Sequence, residues 1–426
     1  MGFASGSVSF RRFIVSGEAP AQIDQDLLDK LSENALRPGE IGVPEEVEYG
    51  WSGGRHVLDG QFRFEHNVYG DALFFALRID SNKVPSDLKR AYAAIEEEAI
   101  AATNPSGFIS KNQKRDVKDS VRRKIEDDLR SGRFRKSKLL PVVWDLPSGT
   151  LYSPASGVQQ EQLIELFERT FPLTLTSISA GSAALRVLEP KGRRRDYEDM
   201  RPTRFVNGAG GDGEYPEYPW VTKGPEPKDF LGNEFLLWLW HEAESNAGSV
   251  GDVAVMIDRS LELDCSYGQS GRAALRATGP THMPEARDAL RTGKVPRKAG
   301  LIVESNGMQF SLTFNPESFT IGSARLPEAE DADSPRVVFE QRIGLLGDLS
   351  KTIDTLYEDF LTLRASASWE GRTSEMRRWI KQSTKGAPTA LIDRHPSPAA
   401  TPVSERSEDP DFPGETKSSR LGKILE

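Results

Sequence analysis

From position 110 to 129 the chain reads as a helix with one apolar residue per turn, Val117, Val121, Ile125 and Leu129, and charge over most of its remaining surface. A stripe that narrow is enough for a single partner helix and too little for burial in a core. The helix opens on the capping box Ser110-x-x-Gln113 and stops at Gly132. Its partner begins at Ser86, which follows Pro85 and can cap it, with the seam Leu88, Ala91, Ile95 and Ala99. The pair predicts an antiparallel helical hairpin over about residues 85–138, projecting from the body with most of its second helix exposed.

That helix and the turn after it concentrate positive charge. Between Lys111 and Lys138 there are twelve Lys or Arg and five Asp or Glu, a balance of +7 in a chain of formal net charge −9, so the remainder sums to −16. Lys111, Lys114, Arg115, Lys118, Arg122, Arg123 and Lys124 lie on the helix. Arg130, Arg133, Arg135, Lys136 and Lys138 follow in a basic turn around the lone aromatic Phe134. An acidic protein with one basic region has a local electrostatic target and not a generally adhesive surface. Cations spaced to meet phosphates, with an aromatic among them, point to nucleic acid. A solvated helix face is the competing reading of the same residues.

The rest predicts an α+β fold, antiparallel or mixed sheets with packed helices. A strand over 7–15 alternates through Val8 and Phe10, slips at Arg11-Arg12 and resumes at Phe13 and Val15, which predicts a bulge. A helix with Ile23, Leu27, Leu31 and Ala35 on one face follows, then strands over 46–51, 61–66 and 72–80. A β-hairpin joins 139–144 to 150–153, and an amphipathic helix covers 159–171. Residues 191–228 are rich in Gly, Pro and charge and read as an insertion between an N-terminal region, 1–190, and a second region, 229–385. The insertion holds Gly208-x-Gly210-x-x-Gly213, which no strand precedes and no helix follows, so it is not read as a dinucleotide site.

In the second region a helix over 230–243 contains six consecutive apolar residues, Phe235 to Trp240, and must be buried on all sides, in a core or at a subunit interface. Strands follow over 253–264 and 272–278, a short helix framed by Pro284 and Gly293, and a hairpin turning on Asn306-Gly307. A helix over 337–363 carries Phe339, Ile343, Leu346, Leu349, Ile353, Leu356, Phe360 and Leu363 at nearly heptad spacing, a seam for a helix of the same chain or of a second copy. After Lys385 six prolines and few large apolar residues predict a disordered tail, 386–426.

One cysteine, Cys265, excludes an internal disulfide framework and a Cys-based zinc site and fits a reducing compartment. Five scattered histidines show no metal-ligand spacing; His241-Glu242 lacks the second histidine of a zincin. No apolar run is long enough to span a membrane. The N-terminus carries no secretory signal, and Gly6 stands where a myristoylation motif needs Ser or Thr, so a cytoplasmic protein is expected. A metal-dependent nuclease would need converging carboxylates, for which Asp331 and Asp333, or Asp252, Asp258, Glu262 and Asp264, are the candidates. Solvent-facing carboxylates are the ordinary reading of both groups, and no catalytic residue, cofactor or metal is assigned. A protein-interaction scaffold is the third option, favoured if the acidic remainder covers the basic hairpin.

Several of these pieces occur in an order that resembles the recombination-associated protein RdgC family of bacterial DNA-binding proteins. They are the charged helix Lys114-Arg115-Asp116-Val117-Lys118-Asp119-Ser120-Val121, the Phe-containing basic turn, the strand Val142-Val143-Trp144-Asp145, and Leu173-Thr174-Leu175-Thr176 followed by Gly181-Ser182-Ala183-Ala184. The match covers about residues 84–184 and is loose beyond 190. It implies a nucleoid-associated, ring-shaped homodimer that encloses duplex DNA without reading sequence and limits access of the recombinase RecA. It also implies finger-like helical projections that close the ring, a role the hairpin fits. Phe134, which carries no charge, is then expected to make a protein contact at the hairpin tip.

Overall fold

Strand β1 (Val8–Ser16) lies where the two hydrophobic cores of this computed structural model meet. The structure describes residues 2–37, 46–105, 107–206, 215–221, 227–328 and 334–382. Val8, Phe10 and half-buried Ile14 pack into one core, while Phe13 and Val15 pack into the other. Successive residues of a strand point to opposite faces, so this is one unbroken alternation in which first one face and then the other is covered. The expected bulge at Arg11-Arg12 is therefore absent. Arg12 is buried on the first face, where its two terminal guanidinium nitrogens donate to the Asp354 carboxylate at 2.6 Å.

Asp24 caps α1 (Gln25–Glu33) by accepting the Leu27 N–H, and Leu27, Leu28 and Leu31 enter the second core beside β2 (Val47–Ser52). The strand expected over 61–66 is instead coil and a short helix, α2 (Phe64–Asn67). The Asn67 side chain accepts the Arg63 N–H and donates to the Gly53 and Phe74 carbonyls, satisfying locally backbone groups that a ladder would otherwise pair. After β3 (Val68–Tyr69), strand β4 (Ala72–Asn82) sends Leu73, Phe75, Leu77 and Ile79 into the second core. The chain then leaves the sheet through α3 (Ser86–Thr103) and α4 (Lys111–Arg130), and returns as β5 (Arg135–Asp145), which pairs with β4 from Asn82 opposite Arg135 to Ala72 opposite Asp145. β6 (Thr150–Ser153) completes a hairpin with β5, and α5 (Val158–Thr170) covers it with Leu163, Leu166 and Phe167, the last edge-on to Trp144. β7 (Thr174–Ser177) pairs with β1, and α6 (Ala180–Leu188) starts on a Ser179–Ser182 capping box.

Residues 191–228 are partly packed structure. They include α7 (Arg194–Asp199) and bury Tyr197, Met200, Phe205 and Tyr218 in the first core; Gly208, Gly210 and Gly213 lie outside the described residues. In α8 (Phe230–Ser245) every residue from Phe230 to Glu242 is buried, so the 235–240 run belongs to the core of its own chain. β8 (Ser249–Val250), β9 (Val253–Cys265), β10 (Ala273–Leu275), α9 (Pro284–Arg291), β11 (Lys294–Ser305), β12 (Met308–Asn315) and β13 (Thr320–Arg325) follow. Asn306 and Gly307, both left-handed at φ 52° and 75°, turn β11 into β12 as the Asn-Gly signal predicts. α10 (Pro335–Arg364) and α11 (Trp369–Lys381) close the first core.

The seam of α10 is consumed inside the chain: Phe339, Leu346, Leu349, Ile353, Leu356 and Phe360 are buried in the first core, with Ile343 and Leu363 packed against it. Neither the 235–240 run nor this seam is a surface for a second copy. The sheet order is β10-β9-β11-β12-β13-β1-β6-β5-β4-β2, every pairing within it is antiparallel, and β13-β1-β6 joins strands from before and after the insertion. The described residues on both sides of 191–228 therefore build one α+β body. The tail, 386–426, and the acidic residues Asp331 and Asp333 lie outside the described residues.

Candidate nucleic-acid interface

The α3–α4 hairpin carries a small core of its own: Tyr92, Val117 and Val121 are buried, with Leu88, Ala93, Ile100 and Ile125 packed around them. It is separate from the two cores of the body. Tyr92 fixes the seam of α3, because its ring packs on α4 while its hydroxyl donates to Asp128 at 2.7 Å and the Lys124 ammonium sits 4.4 Å from its ring centre. That shifts the expected α3 seam. Leu88 keeps its place, whereas Ala91, Ile95 and Ala99 face solvent, with Ile95 58% exposed. Pro85 holds the N-cap position, and Ser86 makes no capping hydrogen bond. The Ser110–Gln113 capping box of α4 is formed as expected, and Gln113 also exchanges side-chain hydrogen bonds with Asn104 across the hairpin.

Two expected positions are corrected. The far end of the hairpin is the link 104–110, where Phe108 is 81% exposed. Phe134 is half-buried at the opposite end, in the turn that leads into β5, with the Arg133 guanidinium 5.7 Å from its ring centre. It is not a tip residue. The basic turn is also shorter than expected, because Arg135, Lys136 and Lys138 already lie on β5 and pair with β4. Arg135 is committed to carboxylates, Asp80 at 2.8 Å and Glu48 at 3.1 Å, and Asp80 in turn holds Arg78 at 2.6 Å. Burial pushes the Asp80 carboxyl up, but hydrogen bonds from Arg78, Ser137 and Arg135 outweigh it and keep it below its ordinary range. Asn82 donates to the Leu129 carbonyl at 2.8 Å, tying the end of α4 to the same cluster. Arg135 is thus part of the hairpin's anchorage.

The other cations sort by position. Lys111, Arg115, Lys118 and Arg122 recur at intervals of four, three and four residues, and all four are exposed. This spacing places them on one stripe of α4, about 16 Å long at 1.5 Å per residue, away from the Tyr92 seam. Arg123 and Arg130 are exposed on another side, and Lys114 is exposed near the start of the helix. Arg122 meets Glu126 at 3.0 Å and Arg133 meets Asp128 at 3.8 Å, while Lys138 donates to Gln159. Exposed pairs of this kind are worth about 0–1 kcal/mol and exchange readily for phosphate. The hairpin is not basic throughout, since α3 carries Glu96, Glu97 and Glu98. The stripe was legible in the residue spacing alone, while the commitment of Arg135 was not.

Three of the carboxylates considered for metal chemistry have other partners. Glu262 and Asp264 face Arg272 and Arg297, and Asp258 accepts the Gly279 N–H. Among the described residues no three His, Cys, Asp or Glu side chains converge in a manner that would hold a metal ion. No helix is long and apolar enough to cross a membrane among the described residues. No protein-family model matches the chain, and no curated protein matches it.

Proposed function

We propose that the chain is a double-stranded DNA-binding protein that grips phosphates through α4 without reading base sequence. The observation that carries this reading is the stripe Lys111, Arg115, Lys118, Arg122, exposed on a helix with its own small core and anchored to the sheet at one end. A duplex strand presents a phosphate about every 3.4 Å of axis, so the length of the stripe spans about five phosphates. Four cations can each meet one. The stripe carries no base-reading motif, and its chemistry is that of a point-charge row.

The resemblance to the RdgC family supports an extension of the reading, in which two copies enclose the duplex in the nucleoid and limit access of RecA. With both apolar seams first considered for self-association buried in their own chain, that role falls to the hairpin tip, where Phe108 is exposed, and to the Ile95 side of α3. Binding to two unrelated duplexes over a salt series, with and without Mg²⁺, tests the main claim. Affinity is expected to fall steeply with salt, to differ little between sequences, and to leave the DNA intact. A strong preference for one sequence, or Mg²⁺-dependent cleavage, would overturn it. Light scattering at micromolar concentration tests the second copy, and one chain's mass removes the enclosing ring.

A further inference from the structure

The sheet face opposite the first core is irregular over β9 to β13. In β9, Ile257 pairs with Leu301 and Leu261 with Ala299, so Asp258, Arg259 and Ser260 stand opposite the single Gly300. In β13, Ile321 pairs with Phe10 and Ala324 with Val8, so Gly322 and Ser323 stand opposite the single Ser9. Each bulge holds a side-chain-bearing residue in the left-handed region, Arg259 at φ 64° and Ser323 at φ 48°. Bulges bend a strand and re-aim its side chains, and strain of this kind persists only where the surroundings impose it. Gly300 marks the fit: a Cβ there would lie 2.1 Å from the Asp258 carbonyl oxygen.

Both bulges line one hollow of about 320 Å³. Arg259 reaches it from β9 and Arg325 from β13, on strands about 14 Å apart across the sheet. The hydroxyl-bearing residues Ser7, Ser260, Ser311, Thr313 and Ser323 line the same hollow. The one carboxylate, Asp258, accepts the Gly279 N–H at 3.0 Å and stands 3.8 Å from Arg259. Arg325 is exposed and makes no ion pair among the described residues. No aromatic ring lines the hollow and Ile302 is its main apolar side chain, Leu301 and Leu312 being buried in the first core. The lining thus offers guanidinium and hydroxyl donors and little for an apolar ligand or a stacked base.

We propose that this hollow is a phosphate site, taking a phosphate group borne on a hydroxylated carbon frame, that is, a sugar phosphate. Guanidinium groups match the oxygens of a phosphate, and the hydroxyls serve the sugar. The volume sits at the small end of ligand pockets, with room for a sugar phosphate. The site is separate from the basic stripe of α4 and stands or falls independently of it.

Titration of the full chain with ribose 5-phosphate, followed by calorimetry, tests this. Saturable binding is expected, weakened at least about tenfold by Arg259→Gln and by Arg325→Gln, the worth of one charge-assisted hydrogen bond. Both side chains are exposed, so neither variant is expected to disturb folding. Replacing the four α4 cations should leave this binding unchanged. Absence of saturable binding, or binding that survives Arg259→Gln and Arg325→Gln combined in one chain, overturns the proposal; so does binding lost with the α4 cations instead. A short duplex that displaces ribose 5-phosphate from the α4 variant identifies the phosphate as nucleic-acid backbone, and failure to displace identifies a free ester. Either result supports the site.

Discussion

Replacing Lys111, Arg115, Lys118 and Arg122 together with Gln removes the whole stripe and leaves α4 its helix propensity. All four side chains are exposed, and among the described residues the only ion pair lost is Arg122–Glu126, which is itself exposed. Fold stability should therefore move by about 1 kcal/mol or less. Each phosphate contact contributes about 0.9 to the slope of log affinity against log salt, so the variant should lose about 3.6. Over a fourfold rise in salt, the native chain then loses about 150-fold more affinity than the variant does. Fluorescence anisotropy on two unrelated duplexes of one length, at several salt concentrations without Mg²⁺, measures this directly. Arg135→Gln is the matched control: one cation is lost, but from a pair with Asp80 and Glu48. Its slope should equal that of the native chain. An unchanged slope in the fourfold variant refutes the assignment of the stripe. A loss of about 0.9 in Arg135→Gln refutes the claim that this residue is committed to the sheet.

Val121→Ala should cost the hairpin about 1–2 kcal/mol, because its core has so few members, and hydrogen exchange should quicken in α3 and α4 while the amides of β4 and β5 keep their protection. Asp80→Ala leaves Arg78 and Arg135 without their shared carboxylate and should destabilise the sheet end by about 3–5 kcal/mol, read as a lower urea midpoint. In the native chain the carboxyls of Asp80 and of Asp59, which accepts from the Arg55 guanidinium, are held below their ordinary range, against the upward push of burial, by those hydrogen bonds. The folded state therefore binds fewer protons there than the unfolded state. Their stabilisation is full above the unfolded carboxylate pKa of about 4 and drains away as pH falls through the lower folded values; Asp80→Asn should flatten the acid limb of a stability–pH curve, and an unaltered limb counts against the cluster. Phe134→Ala and Phe108→Ala should both leave the salt slope unchanged, since neither carries charge; if two copies associate as proposed, only the Phe108 change, at the exposed tip, should shift a light-scattering mass from two chains toward one.

Sequence pattern located α4 closely because two independent signals agree there, a capping box and a single apolar stripe. It failed at the other end of the hairpin for a physical reason. Arg135, Lys136 and Lys138 have the composition of a solvated turn, yet β4 supplies them with a ladder, and Asp80 and Glu48 supply a partner for Arg135. A charged strand of this kind is specified by its neighbours and not by its own alternation. The same limit applies to α10. Its near-heptad spacing requires a covered seam but carries no record of which chain covers it, and here β-strands and α8 of the same chain do so.

The bulges at Arg259 and Ser323 were less legible still, because neither is a glycine and nothing local marks a positive φ. Only Gly300 bears on the first of them, from the partner strand. Where the strand alternation of β1 looked broken, the backbone kept its phase and the cores changed sides. These cases share one cause: spacing reports which face is covered, whereas ion pairing, strand register and the identity of the covering element are set by residues distant in sequence. The hairpin brings both kinds of information together. Its helices were written locally, and its direction is fixed by Arg78, Asp80, Arg135 and the Asn82–Leu129 hydrogen bond at its base. If α4 grips a duplex, that base must resist the load, because a core of three buried side chains cannot orient a helix of 20 residues alone. Weakening the base with Asp80→Asn should therefore lower DNA affinity at every salt concentration while leaving the slope intact, a signature that separates orientation from charge.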